Sequence, residues 1–192
     1  PLWPSAMTAW DPDGIGPSSS LLVLAGWAPD LQASRVVASG PNGWNQLGSA
    51  IAGQVRGIVD FDGRLIIVRS NVQGTLFALS VLRSGEWEGL VPGQLPQYTS
   101  GEIRALHVFA GHLFVGGSFL DLEGQVSVVG KWDGQFWESI PPGGSTNSVT
   151  DFATDGNTLL ALGETQGFQV PSRSRVHRWT GSVWDAPFGE IV

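Results

Sequence analysis

The chain has 192 residues, of which 42% are hydrophobic and 14% charged, so it can bury a core of its own and one folded domain is expected. Its 27 glycines and 12 prolines separate short apolar runs, which favours an all-β fold, and no run approaches the ~20 residues that span a bilayer. The lack of cysteine excludes disulfides and thiolate metal sites, and a net charge of −7 without a basic patch weighs against a nucleic-acid partner.

Four segments along the chain begin alike, with an apolar residue, two spacers, a second apolar residue and then a turn that ends in glycine. The openings fall at 7, 55, 103 and 149, spaced by 48, 48 and 46 residues, and they are Met7-x-x-Trp10, Val55-x-x-Ile58, Ile103-x-x-Leu106 and Val149-x-x-Phe152. A nearly constant period of this length predicts a repeat architecture.

A second strand is predicted after each turn, as a continuous apolar run that both faces of a sheet would bury. These runs lie at 21–24, 65–68, 113–115 and 159–162. A third strand and a hairpin follow, and each fourth strand opens with a tryptophan: Trp44, Trp87, Trp137 and Trp184. Four short strands per repeat are typical of a propeller blade.

The third repeat carries the sharpest motif, with Gly116-Gly117 after an apolar run and then Trp132-Asp133-Gly134 and Trp137. This pattern resembles kelch-like propeller repeats, and more closely the degenerate repeats of large bacterial surface and secreted proteins. The resemblance implies a disc of radial sheets with loops on two faces, and no particular reaction.

We therefore predict an all-β fold, a β-propeller of four four-stranded antiparallel blades in a single domain over 1–192. The predicted blades span about 5–48, 55–91, 103–141 and 149–187. Two modes of closure stay open: a four-bladed ring, which makes a monomer and is favoured, or half of an eight-bladed ring completed by a homodimer. The last residues, 190–192, resemble the opening of a further blade.

Four side chains are candidates for ligand binding. Arg56 and Arg104 both follow the opening apolar residue of their repeats, where two guanidinium groups could hold an anion, although pairing with Asp60, Glu102 or Asp151 is the favoured alternative. Arg69 stands in a column of small residues aligned with Ala25, Gly117 and Gly163. Trp27 leads a Pro-Asp loop, whereas the tryptophans that recur in register are expected to pack between blades.

Other chemistry finds little support in the sequence. The Asp-x-Asp-Gly stretches at 11–14 and 60–63 lack the later ligands of a calcium loop, and the three histidines are dispersed, so no metal and no cofactor are expected. No nucleophile elbow occurs, so we expect no enzymatic activity.

The functional prediction is a non-catalytic binding or scaffold module with a protein partner, located outside the cell or in the cell envelope. The alternative is a lectin-like propeller with a glycan partner, and less favoured still is a glycan-processing enzyme that uses loop carboxylates such as Asp121 and Glu123.

Overall fold

The computed structural model describes residues 2–13, 16, 19–70, 77–90, 100–120, 126–140, 146–167, 170–188 and 190–191. Within them the chain is all-β, and it forms two compact units, 1–91 and 92–192. Each unit holds two antiparallel sheets. No helix in the described part of the chain is long and apolar enough to cross a membrane.

The first unit contains two four-stranded meanders, in which each strand pairs with the next along the chain. The first sheet consists of β1 (Trp3–Trp10), β2 (Leu21–Ala28), β3 (Ala33–Gly40) and β4 (Gly43–Gln46). The second consists of β5 (Val55–Phe61), β6 (Arg64–Ser70), β7 (Phe77–Arg83) and β8 (Glu86–Gly89).

The second unit repeats this arrangement. Its first sheet, the third of the chain, consists of β9 (Ser100–Phe109), β10 (His112–Leu120), β11 (Val126–Trp132) and β12 (Trp137–Ser139). The fourth sheet consists of β13 (Ser148–Asp155), β14 (Thr158–Gly167), β15 (Val170–Trp179) and β16 (Trp184–Asp185), with β17 (Glu190–Ile191) also paired to β15. The prediction of four four-stranded antiparallel blades is confirmed.

The end of the chain differs from the prediction. Glu190 and Ile191 pair antiparallel with Arg175 and Ser174 of β15, so they extend the fourth sheet and do not open another blade. A strand edge that offers unpaired backbone groups is the reason such a short segment finds a partner there.

The first repeat also begins earlier than its sequence indicates. Met7 pairs with Leu24 as Ile58 pairs with Ile67, so Met7 corresponds to the second apolar residue of the opening motif and Pro4 to the first. The same register places Gly26, not Ala25, in the column of Arg69, Gly117 and Gly163. A longer first turn, between Trp10 and Leu21, is what disguised this offset.

A β-bulge interrupts the first strand of every sheet at the same position. The extra residue is Ser5, Arg56, Arg104 or Thr150 in the four sheets. Bulges turn a side chain away from the direction that the alternation of the strand would give it. The two predicted arginines, Arg56 and Arg104, are therefore bulge residues.

Apolar side chains pack between the two sheets of each unit. We call the sheet face that carries the fourth-strand tryptophan the front face and the opposite one the back face. In the first unit the back face of the first sheet, with Val23, Ala25 and Val36, packs against the front face of the second, with Leu65 and Ile67. All five are at most 1% exposed, so this interface is dry.

The second unit has the same front-to-back interface, and it is dominated by aromatic rings. Phe114 of the third sheet lies 5.9 Å from Trp179, 6.3 Å from Phe152 and 6.4 Å from Trp184, in each case edge to face. Such T-shaped pairs each add roughly 0.5–1.5 kcal/mol beyond the area that they bury. The recurring tryptophans at 132, 179 and 184 are buried as predicted, whereas Trp44 is 52% exposed.

Close packing makes Gly117 sensitive to any side chain. A Cβ atom there would overlap the carbonyl oxygen of Glu102 and lie 3.0 Å from Cα of Ile103, and backbone atoms of a neighbouring strand cannot move aside cheaply. We expect Gly117→Ala to lower the free energy of unfolding by about 1–3 kcal/mol in urea titrations. Gly89→Ala is the matched control, because nothing lies within 4 Å of its Cβ position, and it should change stability by less than about 0.5 kcal/mol. Equal effects of the two changes would contradict this account of the packing.

His177 is a buried imidazole in the fourth sheet, 1% exposed, with Nε2 2.8 Å from Oγ1 of Thr146. Burial lowers its pKa below the ordinary value of 6.5, nearby Arg175 lowers it further, and Asp185 opposes the shift. As the pH falls through about 6.5, His177 therefore takes up a proton in the unfolded chain before it does so in the folded protein. The free energy of unfolding is consequently unaffected by this residue above pH 6.5 and decreases as the pH falls towards the lower pKa of the folded state.

We expect the urea midpoint of the protein to fall between pH 7 and pH 5, and His177→Gln to reduce that dependence while Gln keeps a hydrogen bond to Thr146. His107, whose pKa burial also lowers, accounts for a remaining part. His112→Gln serves as the control and should decline with pH as the native protein does. Identical pH profiles for His177→Gln and the native chain would show that His177 is not a source of acid sensitivity.

Candidate functional site

The structure places the four predicted ligand residues in different surroundings. Arg104 donates from Nε to Glu102 over 2.8 Å and from Nη1 to Glu164 over 3.4 Å, so it spans the two sheets of its unit. This is the ion-pair alternative, with Glu102 as foreseen and Glu164 not foreseen. Arg56 lies exposed in β5.

The other two candidates are partly buried in the first unit. Arg69 donates from Nε to Oγ of Ser80 over 3.1 Å, which ties it to the neighbouring strand β7. Trp27 pairs across the strands with Trp3, which is 62% exposed. Ligand binding by Trp27, Arg56, Arg69 and Arg104 stays a prediction. The proposed loop carboxylates Asp121 and Glu123 lie outside the described residues.

A cleft of about 490 Å³ opens in the second unit, between residues of the third sheet and residues of the fourth. Three tight turns surround it: Ala110-Gly111 between β9 and β10, Gly156-Asn157 between β13 and β14, and the turn after Trp179. The left-handed backbone of Ala110 and Gly111, with φ of 49° and 73°, gives the first of these its two-residue hairpin geometry.

The third sheet contributes one wall of this cleft through its back face. Phe109 pairs with His112 across the hairpin, and Phe114 pairs with Lys131 across β10 and β11. Because paired residues of an antiparallel sheet point to the same side, and His112 and Phe114 are two residues apart, all four side chains share this face. Ring, imidazole and ammonium groups are thereby brought to one surface.

The fourth sheet contributes Trp179, Asn157 and the start of the turn at Thr180. Trp179 is only 8% exposed, since it packs on Trp184 at 5.2 Å and on Phe114. Thr180 is held by its own turn, where Oγ1 donates to the carbonyl oxygen of Val183 over 2.9 Å. Asn157 is exposed at the tip of its hairpin.

Lys131 is the cation directed into the cleft. Its Nζ lies 5.8 Å from the centroid of the Trp179 ring and 2.7 Å from Oε2 of Glu138. The lysine side chain is 20% exposed and that of Glu138 is 62% exposed, so the carboxylate holds the ammonium from the solvent side. The ammonium group thus contacts both a carboxylate and the face of an aromatic ring, and these two contacts hold it at the border of the cleft.

Arg178 also borders the cleft but points elsewhere. It precedes Trp179 in β15, so its side chain lies on the opposite face of the strand. There it forms a bidentate pair with Asp185, at 2.6 and 3.2 Å, and this pairing lowers the pKa of the Asp185 carboxyl. Its guanidinium is therefore occupied away from the cleft.

His112 has a defined tautomer at the rim. Its Nδ1 lies 2.8 Å from the carbonyl oxygen of Ala110 and donates to it, which leaves Nε2 as the acceptor of the neutral ring. No group of three or more His, Asp or Glu side chains within the described ranges is placed to hold a metal ion. The chemistry that this cleft offers is thus hydrogen bonding, one ammonium group and aromatic surface.

Sequence reasoning missed this site. Phe109 and Asn157 belong to no motif, Lys131 only precedes the Trp132-Asp133-Gly134 motif, and Trp179 is predicted to pack between blades. The only available signal was that Lys131 is the single lysine of the chain and is adjacent to Trp132. Its proximity to Trp179, 48 residues away, depends on the contact between the two sheets.

No protein-family model and no curated protein matches the chain. Among solved structures, the acylaminoacyl peptidase of Pyrococcus horikoshii is similar in fold, with a TM-score of 0.57 and 14% sequence identity. The match covers 95% of this chain and 27% of the peptidase. A triple arginine-to-alanine mutant of AofleA from Arthrobotrys oligospora has a TM-score of 0.53 and 15% identity, and that match covers 97% of this chain and 57% of AofleA. GH43B of a xyloglucan PUL from Bacteroides ovatus has a TM-score of 0.47 and 15% identity, and the match covers 97% of this chain and 42% of GH43B.

These similarities concern the fold, and the chain spans less than two thirds of each of these proteins. The prediction that the protein is not an enzyme is contradicted, since a chain with the same fold is named as a peptidase. That prediction rested on the lack of a local motif. Catalytic side chains need not be neighbours in the sequence, so a missing motif does not exclude them. At this level of similarity the chain is a β-propeller protein, and its chemistry has to be argued from its own side chains.

Proposed function

We propose that the protein binds a glycan in the cleft between the third and fourth sheets. The observation that carries this proposal is the placement of the Lys131 ammonium and the Asn157 amide around the exposed margin of an aromatic surface. This is the alternative prediction from the sequence, and the cleft supports it better than the main prediction of a binding or scaffold module with a protein partner.

Aromatic surface suits a sugar ring because pyranose faces present C–H groups that are poorly hydrated. Phe109 is half-buried and lies 6.5 Å from Phe114 in an edge-to-face arrangement, so its ring is fixed before any ligand arrives. Rigid aromatic contacts cost little conformational entropy on binding.

The polar groups complement the hydroxyls and any carboxylate of a saccharide. Lys131 offers ammonium hydrogens, Asn157 offers both an amide donor and an acceptor, and His112 offers its Nε2. The charge directed into the cleft is positive, while Glu138 pairs with Lys131 from the solvent side. Neutral and acidic glycans both fit this pattern.

A glycan ligand is also consistent with the predicted location outside the cell or in the envelope, which remains part of the proposal. A glycan ligand is likewise consistent with the resemblance of the sequence to kelch-like repeats of surface proteins. A cleft that is open to solvent and bordered by turns can accept a chain end or a branch of a larger polysaccharide.

We expect the protein to bind a subset of a printed array of neutral and acidic glycans. With the strongest array ligand in calorimetry, Lys131→Gln should weaken binding about 10-fold to 100-fold, because a charge-assisted hydrogen bond contributes roughly 1.5–3 kcal/mol. Asn157→Ala should weaken it by a smaller factor, since its hydrogen bonds involve no charge on the protein.

Arg178→Gln is the matched control, because it removes a cation at the same cleft border whose side chain lies on the other face of β15. It should leave affinity within about twofold of the native value. The proposal fails if no glycan of the array binds, or if Lys131→Gln and Arg178→Gln weaken binding equally.

A further inference from the structure

Glu138 is the acidic side chain that contacts the Lys131 ammonium at the cleft. The two residues are paired across β11 and β12, and paired residues of an antiparallel sheet point to the same side. Both therefore lie on the back face of the third sheet, and Oε2 of Glu138 is 2.7 Å from Nζ of Lys131. The cation of the cleft thus already has a carboxylate of the protein beside it.

The second sheet has an equivalent glutamate without this lysine. Glu88 occupies the place of Glu138, because each follows the tryptophan that opens its fourth strand. Glu88 pairs across the strands with Val81, where the third sheet has Lys131. Its carboxylate lies 3.6 Å from the guanidinium of Arg83 instead. The ion pair at the cleft is therefore a feature of the third sheet and not a requirement of the repeat.

Another carboxylate, that of Asp133, stands in the turn after β11. The backbone N–H groups of Phe136 and Gln135 each donate to its Oδ1 over 2.7 Å, and these bonds lower the pKa of the carboxyl. His112, which lines the cleft, lowers this pKa further. A negative charge is therefore held close to the rim formed by His112.

The balance of charge around the cleft is acidic. Asp155 is exposed on the hairpin between β13 and β14, where it pairs with Thr158, a residue of the cleft wall. The two cations at the cleft, Lys131 and Arg178, each already contact a carboxylate. Asp133 and Asp155 add two further negative charges among the described residues. A ligand that carries a negative charge therefore meets repulsion at this site.

The pair of Lys131 and Glu138 also has a hydrogen-bonding character of its own. The ammonium group donates and the carboxylate accepts, whereas a sugar hydroxyl can do both. A neutral saccharide can therefore bond to either member of the pair. The carboxylate of a uronic acid only accepts hydrogen bonds, so it competes with Glu138 for the same ammonium group.

We infer that Glu138 is a specificity-determining residue of the cleft, and that it selects neutral glycans over glycans that carry a carboxylate. This inference rests on the proposed glycan binding and narrows it, since Lys131 without Glu138 would accept both classes. A carboxylate ligand reaches the ammonium either by displacing Glu138 or by lying beside it. The first costs an existing ion pair and the second brings like charges together, so both lower the affinity.

Calorimetry with a matched pair of ligands tests this selection. The pair is an array glycan with one hydroxymethyl group oxidised to a carboxylate, and the same compound with that carboxylate converted to an amide, which has nearly the same shape and no charge. The native protein should bind the amide at least about fivefold more tightly than the carboxylate, and Glu138→Gln should reduce this ratio to about twofold or less.

Salt provides a second measurement of the same repulsion. Because exposed charges are screened by ions, the ratio for the native protein should shrink between about 50 mM and 500 mM sodium chloride. In Glu138→Gln the ratio should depend little on salt.

Glu88→Gln is the matched control, since it removes the equivalent ion-paired glutamate of the second sheet, and it should leave the ratio within about twofold of the native value. The glutamate side chains at 88 and 138 are 52% and 62% exposed, so neither change should alter the melting temperature. Equal native affinity for carboxylate and amide, or the native ratio in Glu138→Gln, would overturn this inference and leave the glycan site standing. Failure of every array glycan to bind would overturn the proposed function and this inference with it.

Discussion

The packing of one sheet's back face against the next sheet's front face is the interaction on which this structure depends. A four-stranded meander has two faces and only one of them can be covered by a single neighbour, so an isolated blade would leave large apolar areas in water. In the first unit the cover is aliphatic, from valine, leucine and isoleucine. In the second unit it is largely aromatic, which allows glycines in the strands: Cβ at Gly116 would press on Phe152 and Val149.

This packing also creates the cleft. It lies between residues of the third and fourth sheets, at one border of the aromatic cluster. There the ammonium group of Lys131 lies 5.8 Å from the ring centroid of Trp179. The same contact therefore supplies both the core and the boundary of the binding surface. A charge placed over a ring at that boundary is fixed without being fully desolvated.

In both units, the β-bulge of a first strand carries a side chain that contacts the neighbouring sheet. The first strand of each sheet has a β-bulge at the same position. The side chain of the bulge residue therefore does not follow the alternation of buried and exposed side chains along the strand. Arg104 uses this freedom to reach Glu164 in the adjacent sheet, and Ser5 uses it to donate from Oγ to the carbonyl oxygen of Val55 over 2.7 Å. The bulge residue thus links neighbouring sheets in both units, through an ion pair in one and a hydrogen bond in the other. Such exposed or half-exposed polar contacts add little to the free energy of unfolding, and the apolar interface contributes most of it.

The sequence by itself determined the all-β class, the four-strand repeat and the tryptophans that open each fourth strand, because turn residues and apolar alternation are local properties. The sequence pattern places the opening of the first repeat at Met7, three residues after the position that the strand register gives. Because the turn after Trp10 is longer than the later ones, the spacing between repeats still looks regular. Only the tertiary structure decided that Lys131 meets Trp179, that Glu190-Ile191 joins the fourth sheet, and that Trp44 stays exposed while Trp184 is buried. Each of these depends on which surface lies opposite, and a repeated sequence specifies the same residue type without specifying whether a neighbour covers it.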